Sequence, residues 1–236
     1  MTHSAKPFDH PRIKVVGSFH ELLTTPFANG VNALCWPRVL TGNFAEVVEL
    51  LGTGEGIVSL DEKLLRNLPL SEAGRLAVEV MLEDQRLLRE QDLDPEINCI
   101  HGYPREETPG PVATDVMSFH VDSATAEADT WLCTYHGAPS EGLPNEEACM
   151  RTEIPETRAE LQRLYGGRDD EDFRDYLAEN CYDLHYAPLP HAKPYSFGVG
   201  NLWRIATDWP GSPVPPCIHR APETRSGDAV RLLLIS

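Results

Sequence analysis

The stretch Phe119-His120-Val121-Asp122 sets an imidazole and a carboxylate two positions apart. In an extended chain alternate side chains share a face, so His120 and Asp122 project together, their α-carbons about 6–7 Å apart. A ring nitrogen and a carboxylate oxygen at that separation converge on one ion, while Val121 turns away into packing. Alone, an H-x-D is a weak signal. A second imidazole strengthens it: His219 follows Asp122 by 97 residues, inside Pro216-Cys217-Ile218-His219-Arg220-Ala221-Pro222. Two histidines and a carboxylate on one face of a metal, with the other positions open, is the ligand set of non-haem iron(II) oxygenases.

Arg231, twelve residues beyond His219, begins the apolar run Arg231-Leu232-Leu233-Leu234-Ile235. If Glu223 to Asp228 is a turn, the flanking strands form a hairpin, and a turn centred near Arg225 sets His219 opposite Arg231. A guanidinium there clamps a carboxylate through two parallel hydrogen bonds. A dicarboxylate that chelates iron at one end and meets Arg231 at the other fits 2-oxoglutarate as co-substrate. Arg220 and Arg225 compete for that role; Arg231 is preferred because it shares a strand face with Leu233 and Ile235.

These residues need strands to hold them. Arg12 to Gly17 and Val31 to Trp36 are short β-leaning runs, the second ended by Pro37. Asn43 is a suitable N-cap for a helix over Phe44 to Leu51, closed by Gly52, and Ser71 opens a longer helix to about Glu90 with apolar residues at helical spacing. The pattern then turns to short strands at Ile97 to Gly102, Val116 to Val121 and Thr130 to Tyr135, and again at Ser196 to Ala206, Pro216 to Ala221 and Ala229 to Ile235. A Gly/Pro-rich stretch, Glu106 to Pro111, separates the first two. Between the two sets lies an acidic, helix-leaning insertion with helices expected at Thr157 to Tyr165 and Asp169 to Asn180. The expected fold is mainly β with flanking helices: a single-domain β-barrel, with a double-stranded β-helix (jelly-roll or cupin-like) core and a helical insertion. Within 1–236, the front strands and buttressing helices take 12–92, the core 97–138 and 196–236, and the insertion 139–195.

Composition sets limits. The 236 residues are 41% hydrophobic and 24% charged, a globular profile. A formal charge of −17, with no Lys/Arg cluster, disfavours nucleic acid as a partner. No apolar run approaches the ~20 residues of a membrane span, and the start lacks a secretory signal, so cytoplasm is the expected location and no membrane partner is expected. Six scattered cysteines include no C-x-x-C pair, which disfavours a cysteine-based zinc site.

The H-x-D…H…R order resembles the iron(II)/2-oxoglutarate-dependent dioxygenase superfamily, whose triad sits on a double-stranded β-helix with Arg or Lys on the final strand. Closer in detail, Val31-Asn32-Ala33-Leu34-Cys35-Trp36 with Arg38, Phe119-His120-Val121-Asp122, Leu132-Cys133-Thr134-Tyr135 with Gly137, Leu143-Pro144-Asn145-Glu146, His219-Arg220-Ala221-Pro222 and Arg231-Leu232-Leu233-Leu234 resemble the bacterial family catalogued as domain of unknown function eighteen-twenty-six. These short blocks span most of the chain. The family tends to carry a Gly-Pro-Gly-Thr-Glu-Trp-like run where this chain has Gly137-Ala138-Pro139-Ser140-Glu141-Gly142, and its helical insertion is smaller.

The expected activity is therefore an iron(II)- and 2-oxoglutarate-dependent oxygenase that consumes molecular oxygen and oxidises a small molecule, hydroxylation being the default outcome. His120, Asp122 and His219 are the metal ligands and Arg231 the co-substrate clamp. Trp131, Tyr135, Trp203 and Arg204 are candidate substrate contacts, though packing or an ion pair is the commoner fate of such residues. Asn98 and His101 are weaker candidates for co-substrate hydrogen bonds. His136, His185 and His191 are rival ligands whose default is solvent exposure or ordinary hydrogen bonding. Two alternatives stay open: a different metalloenzyme on the same fold, either a cupin-type dioxygenase without 2-oxoglutarate or a zinc hydrolase, and a metal-binding jelly roll that is not an enzyme. The insertion is read either as a lid or as a homodimer surface.

Overall fold

The computed structural model describes residues 10–104, 110–223 and 229–236. Its front third runs β1 (Ile13–Val15), α1 (Phe19–Thr24), β2 (Ala33–Trp36), α2 (Phe44–Leu51), β3 (Ile57–Ser59), α3 (Glu62–Asn67) and α4 (Glu72–Arg89). Then come β4 (Glu96–Ile100), β5 (Asp129–His136), β6 (Glu141–Leu143) and β7 (Ala148–Met150), followed by the insertion helices α5 (Pro155–Tyr165) and α6 (Glu171–Glu179). The chain ends with β8 (Tyr186–Pro188), β9 (Tyr195–Ser196), β10 (Leu202–Ala206), β11 (Ile218–Arg220) and β12 (Arg231–Ile235).

Seven strands form one open sheet in the order β1-β2-β10-β5-β12-β4-β3, antiparallel except for the β1/β2 pair. The two-residue alternation of a strand divides its side chains cleanly. Trp131, Cys133 and Tyr135 of β5, Leu232 and Leu234 of β12 and Leu202 of β10 pack with α1, α2 and α4 around Leu22, Val47, Met81 and Leu88. The intervening residues Leu132, Leu233, Trp203 and Ile205 turn to the other face and pack with Phe197 and Cys217.

That other face is covered by a second, smaller layer. β11, β6 and β9 pair in that order, and β7 pairs with β8. The chain around His120 joins them: His120 and His219 exchange both backbone hydrogen bonds at 2.9 Å, while Val121 N–H donates to the Leu184 carbonyl and Tyr186 N–H to that of Phe119. Asn32 and Asn145 pin the entry to β11. The Asn32 side-chain amide donates to Asn145 Oδ1 at 2.8 Å and to the carbonyls of Pro215 and Pro216, and Asn145 Nδ2 donates to Pro216. Three of the sequence blocks singled out above therefore meet at one knot.

The helices expected from caps and periodicity are present, Asn43 and Ser71 each capping with its side chain. α1 and α3, at six residues each too short to show periodicity, were not anticipated. Three expectations need correction. Among the described residues no barrel closes: the fold is mixed α/β, with β1 and β3 as free edges of the large sheet. Val116 to Val121 is not a strand throughout, because Asp115 Oδ1 accepts from Met117 and Ser118 N–H and holds a turn, so extended pairing starts at Phe119. β11 and β12 are not a hairpin: β11 pairs with β6 in the small layer and β12 with β4 and β5 in the large one, so His219 and Arg231 are not cross-strand neighbours. The proposed turn around Arg225 lies outside the described residues.

One ion pair stands out inside the helix-covered face. Arg38 reaches Asp84 of α4 with two bonds of 2.6 and 2.8 Å, and Tyr135 donates its hydroxyl to the same carboxylate at 2.8 Å. Asp84 is 3% exposed and the Arg38 side chain 11%, so deleting the carboxylate strands a largely buried guanidinium. Asp84→Ala is expected to cost about 3–5 kcal/mol in denaturant unfolding. Arg66→Ala, which breaks the solvent-exposed Arg66–Glu79 pair between α3 and α4, should leave the midpoint unchanged.

Candidate metal centre

His120, Asp122 and His219 come together in the interlayer space, each offering a donor atom within 4.8 Å of the others. His120 Nε2 lies 3.9 Å from Asp122 Oδ1, and His219 Nε2 lies 3.6 Å from Asp122 Oδ2. Bonds of roughly 2.0–2.2 Å to a cation place neighbouring donors about 3–3.5 Å apart, so each histidine needs to close on Asp122 by less than ~1 Å and no pair of donors by more than about 2 Å. The two rings sit 4.7 Å apart between centroids, inclined by 50°. The donor set fits a small divalent ion.

The outer contacts of each ligand point the same way. His120 Nδ1 is 2.7 Å from the Ser118 carbonyl and His219 Nδ1 is 3.2 Å from that of Cys217. A carbonyl oxygen only accepts, so Nδ1 carries the proton in both rings and the Nε2 lone pairs face the shared space. Thr130, the residue before Trp131 on β5, donates its hydroxyl to Asp122 Oδ2 at 2.5 Å. Burial and the neighbouring His219 push the His120 pKa down from 6.5 to about 4, against the opposing pull of the Ser118 carbonyl and Asp122. Burial pushes Asp122 up, but His219, the Thr130 hydroxyl and His120 outweigh it and its pKa is lowered. A neutral imidazole beside an ionised carboxylate is the protonation state that a metal requires.

A cavity of about 140 Å³ opens on this group, and Arg231 lies on its wall with Tyr103, Ser140 and Leu233. Arg231 is 2% exposed. Its guanidinium donates to Ser140 Oγ at 2.7 Å, to Thr134 Oγ1 at 3.0 Å and to the Tyr103 hydroxyl, while its Nε has no partner. Among the described residues no carboxylate pairs with it. Burial lowers its pKa against the supporting pull of Tyr103.

The four candidate substrate contacts take other places. Trp131 and Tyr135 point into the helix layer, Tyr135 committed to Asp84. Arg204 is also on that side, paired with Asp129 at 2.6 Å and donating to the carbonyls of Leu22, Leu23 and Thr25 at the end of α1. Trp203 faces the small layer but is fully buried, its ring 4.4 Å from that of Phe197 and its indole N–H on the Phe197 carbonyl. None of the four lines the cavity. A strand of β5 or β10 offers only every second residue to the cavity, and the chosen residues fall on the wrong parity or behind another ring. Asn98 is buried beside Leu233 in the ladder, and His101 Nε2 lies 3.5 Å from Cys99 Sγ; neither reaches the cavity wall.

Residues that sequence reasoning passed over are Thr130, Thr134, Tyr103 and Ser140. Ser140 occupies the hydroxyl position of the run Gly137 to Gly142, which was the available signal. His185, set aside as a surface or hydrogen-bonded residue, is 4% exposed, its ring 5.7 Å from that of His120 but outside the donor group. Gly142 stands opposite His219 in the β6/β11 ladder, and a Cβ there would lie 2.2 Å from the Tyr195 ring that crosses it.

No protein-family model, curated protein or solved structure matches the chain. The reading of the site therefore rests on its own chemistry.

The metal-free protein should lose stability in acid through His120. The unfolded chain takes up the proton near pH 6.5 and the folded one resists it until about pH 4, so stability falls as pH drops through that window, by roughly 3 kcal/mol at most. Thermal unfolding of the apoprotein from pH 7 to 4 checks this, and His120→Gln should flatten the slope.

Proposed function

We propose that the chain is a non-haem iron(II)- and 2-oxoglutarate-dependent oxygenase that oxidises a small molecule. The observation that carries the reading is a pairing on one cavity: a His-Asp-His donor set beside a buried guanidinium that has no carboxylate partner among the described residues. A buried charge without a counter-ion is costly, and a site that keeps one is built to receive the opposite charge. Ser140, Thr134 and Tyr103 fix the guanidinium in one orientation, so a carboxylate meets a preformed fork. The second layer, stacked on the large sheet through the Phe197 and Cys217 packing, is consistent with a distorted, open jelly roll as the scaffold.

His120, Asp122 and His219 would hold the iron. When bound, the iron would supply the oxygen chemistry, in which O2 and 2-oxoglutarate are consumed, succinate and CO2 are released and one oxygen atom goes to the substrate. The rest falls to side chains of this chain. The Ser118 and Cys217 carbonyls keep both imidazoles in the Nε2-ligating tautomer. Thr130 holds Asp122 Oδ2 and fixes the carboxylate plane. Leu132 and Leu233 supply an apolar wall that excludes water.

Anaerobic calorimetric titration should show one iron(II) per chain, followed by 2-oxoglutarate binding that requires the metal. His120→Ala or Asp122→Ala should abolish iron binding. Arg231→Met should keep iron, weaken 2-oxoglutarate by roughly 100-fold, and leave the melting temperature of the free protein unchanged or raised, since it removes a stranded charge. Tight 2-oxoglutarate binding in that variant would remove the clamp; metal binding without any response to 2-oxoglutarate would favour a metalloenzyme of another type.

A further inference from the structure

The walls of the same cavity divide by polarity, and the division bears on what enters it. Every polar side chain of the lining already has a partner or a ligand role: Thr130 holds Asp122, Ser140 and Tyr103 hold Arg231, and the two histidines hold backbone carbonyls through Nδ1. What remains is apolar: Val116, Leu132, Ala221, Leu233 and Ile235. With the triad and Arg231 occupied, no charged group among the described lining residues is left over to recognise a charge on a second molecule.

Two of these apolar residues are exposed, Val116 at 42% and Ile235 at 37%. Val116 does not stand out by accident of a loose loop. The Asp115 side chain caps the turn that carries Val116 through Met117 and Ser118 N–H, and the Val116 carbonyl accepts from Ala221 N–H at 2.7 Å, which ties the turn to the end of β11. Ile235 is held in the β12 ladder opposite Leu132 and Glu96. The cavity thus has a preformed apolar rim, contributed by a turn on one side and a strand on the other. At about 140 Å³ it is well below the roughly 300–1,000 Å³ of sites that engulf a whole small molecule.

The geometry points to a substrate that inserts one small, uncharged, saturated hydrocarbon end past Val116 and Ile235. This rests on the oxygenase reading, which occupies the triad and Arg231 and turns the inserted end into the place where an unactivated C–H bond is oxidised. Burying a charge against these walls has no compensating partner, so a charged congener should bind at least roughly tenfold more weakly than its neutral analogue.

The test uses methyl-labelled protein loaded anaerobically with zinc and 2-oxoglutarate, so that the triad and Arg231 are occupied, with calorimetry recording each loading step. Cyclohexanol, cyclohexylammonium and cyclohexanecarboxylate are then titrated while the methyl resonances of Val116, Leu132, Leu233 and Ile235 are followed. Saturable shifts with cyclohexanol, and at least tenfold weaker ones with both ions, are expected. Val116→Asp and Ile235→Glu, substitutions at exposed positions on separate elements, should lose the cyclohexanol response while keeping zinc and 2-oxoglutarate. Equal or tighter binding of either ion overturns the proposal, as does cyclohexanol indifference in protein that has bound zinc and 2-oxoglutarate. Cyclohexanol binding in protein that refuses 2-oxoglutarate keeps the apolar site and removes the oxygenase reading instead.

Discussion

His120 and His219 exchange both of their backbone hydrogen bonds, and the site hangs on that reciprocal pair. In an antiparallel hydrogen-bonded pair the α-carbons are about 5.5 Å apart and the side chains rise on one face. Two imidazoles are thereby set side by side without any metal to gather them. Asp122, two residues along, shares that face, and its own carbonyl accepts from Asp208 N–H at 2.7 Å, which keeps the segment extended past the ligand. Side-chain detail then follows from the backbone: Nδ1 of each ring finds a carbonyl two residues back along its own chain segment, and Nε2 is left for the interior.

The large sheet treats its two faces differently, and stability and function separate accordingly. Towards the helices, the buried charges are matched: Arg38 has Asp84 and Arg204 has Asp129 and the carbonyls at the end of α1. Towards the small layer, Arg231 is more deeply buried than either, and among the described residues it is matched by hydroxyls alone. This contrast in how the two faces satisfy their cations is what supports the proposal of an outside anion at Arg231. The apolar remainder of the cavity wall follows from the same economy of polar groups.

Much of the scaffold was legible beforehand. The N-caps Asn43 and Ser71, the period of α4 and the strand character around β2, β5 and β12 are local properties, fixed by side-chain hydrogen bonding and by the spacing of apolar residues. The partnering of those strands was not. The expected hairpin between β11 and β12 failed because each strand has better company elsewhere, β11 with β6 and the His120 segment, β12 with β4 and β5. Turn chemistry at Asp115 also overrode a β-leaning composition.

The sequence by itself determined which residue types are available to a metal: an H-x-D whose members share a face in any extended conformation, and a distant histidine and arginine in apolar strand-like runs. It could not determine distance across 97 positions, nor which face of a central strand is open to a cavity. Those depend on sheet order and on inter-layer packing, which are long-range and cooperative. Only the tertiary structure turned Trp131, Tyr135 and Arg204 towards the helices, brought Thr130 and Ser140 to the ligands and the clamp, and set Arg231 on the same cavity as the triad from a different layer.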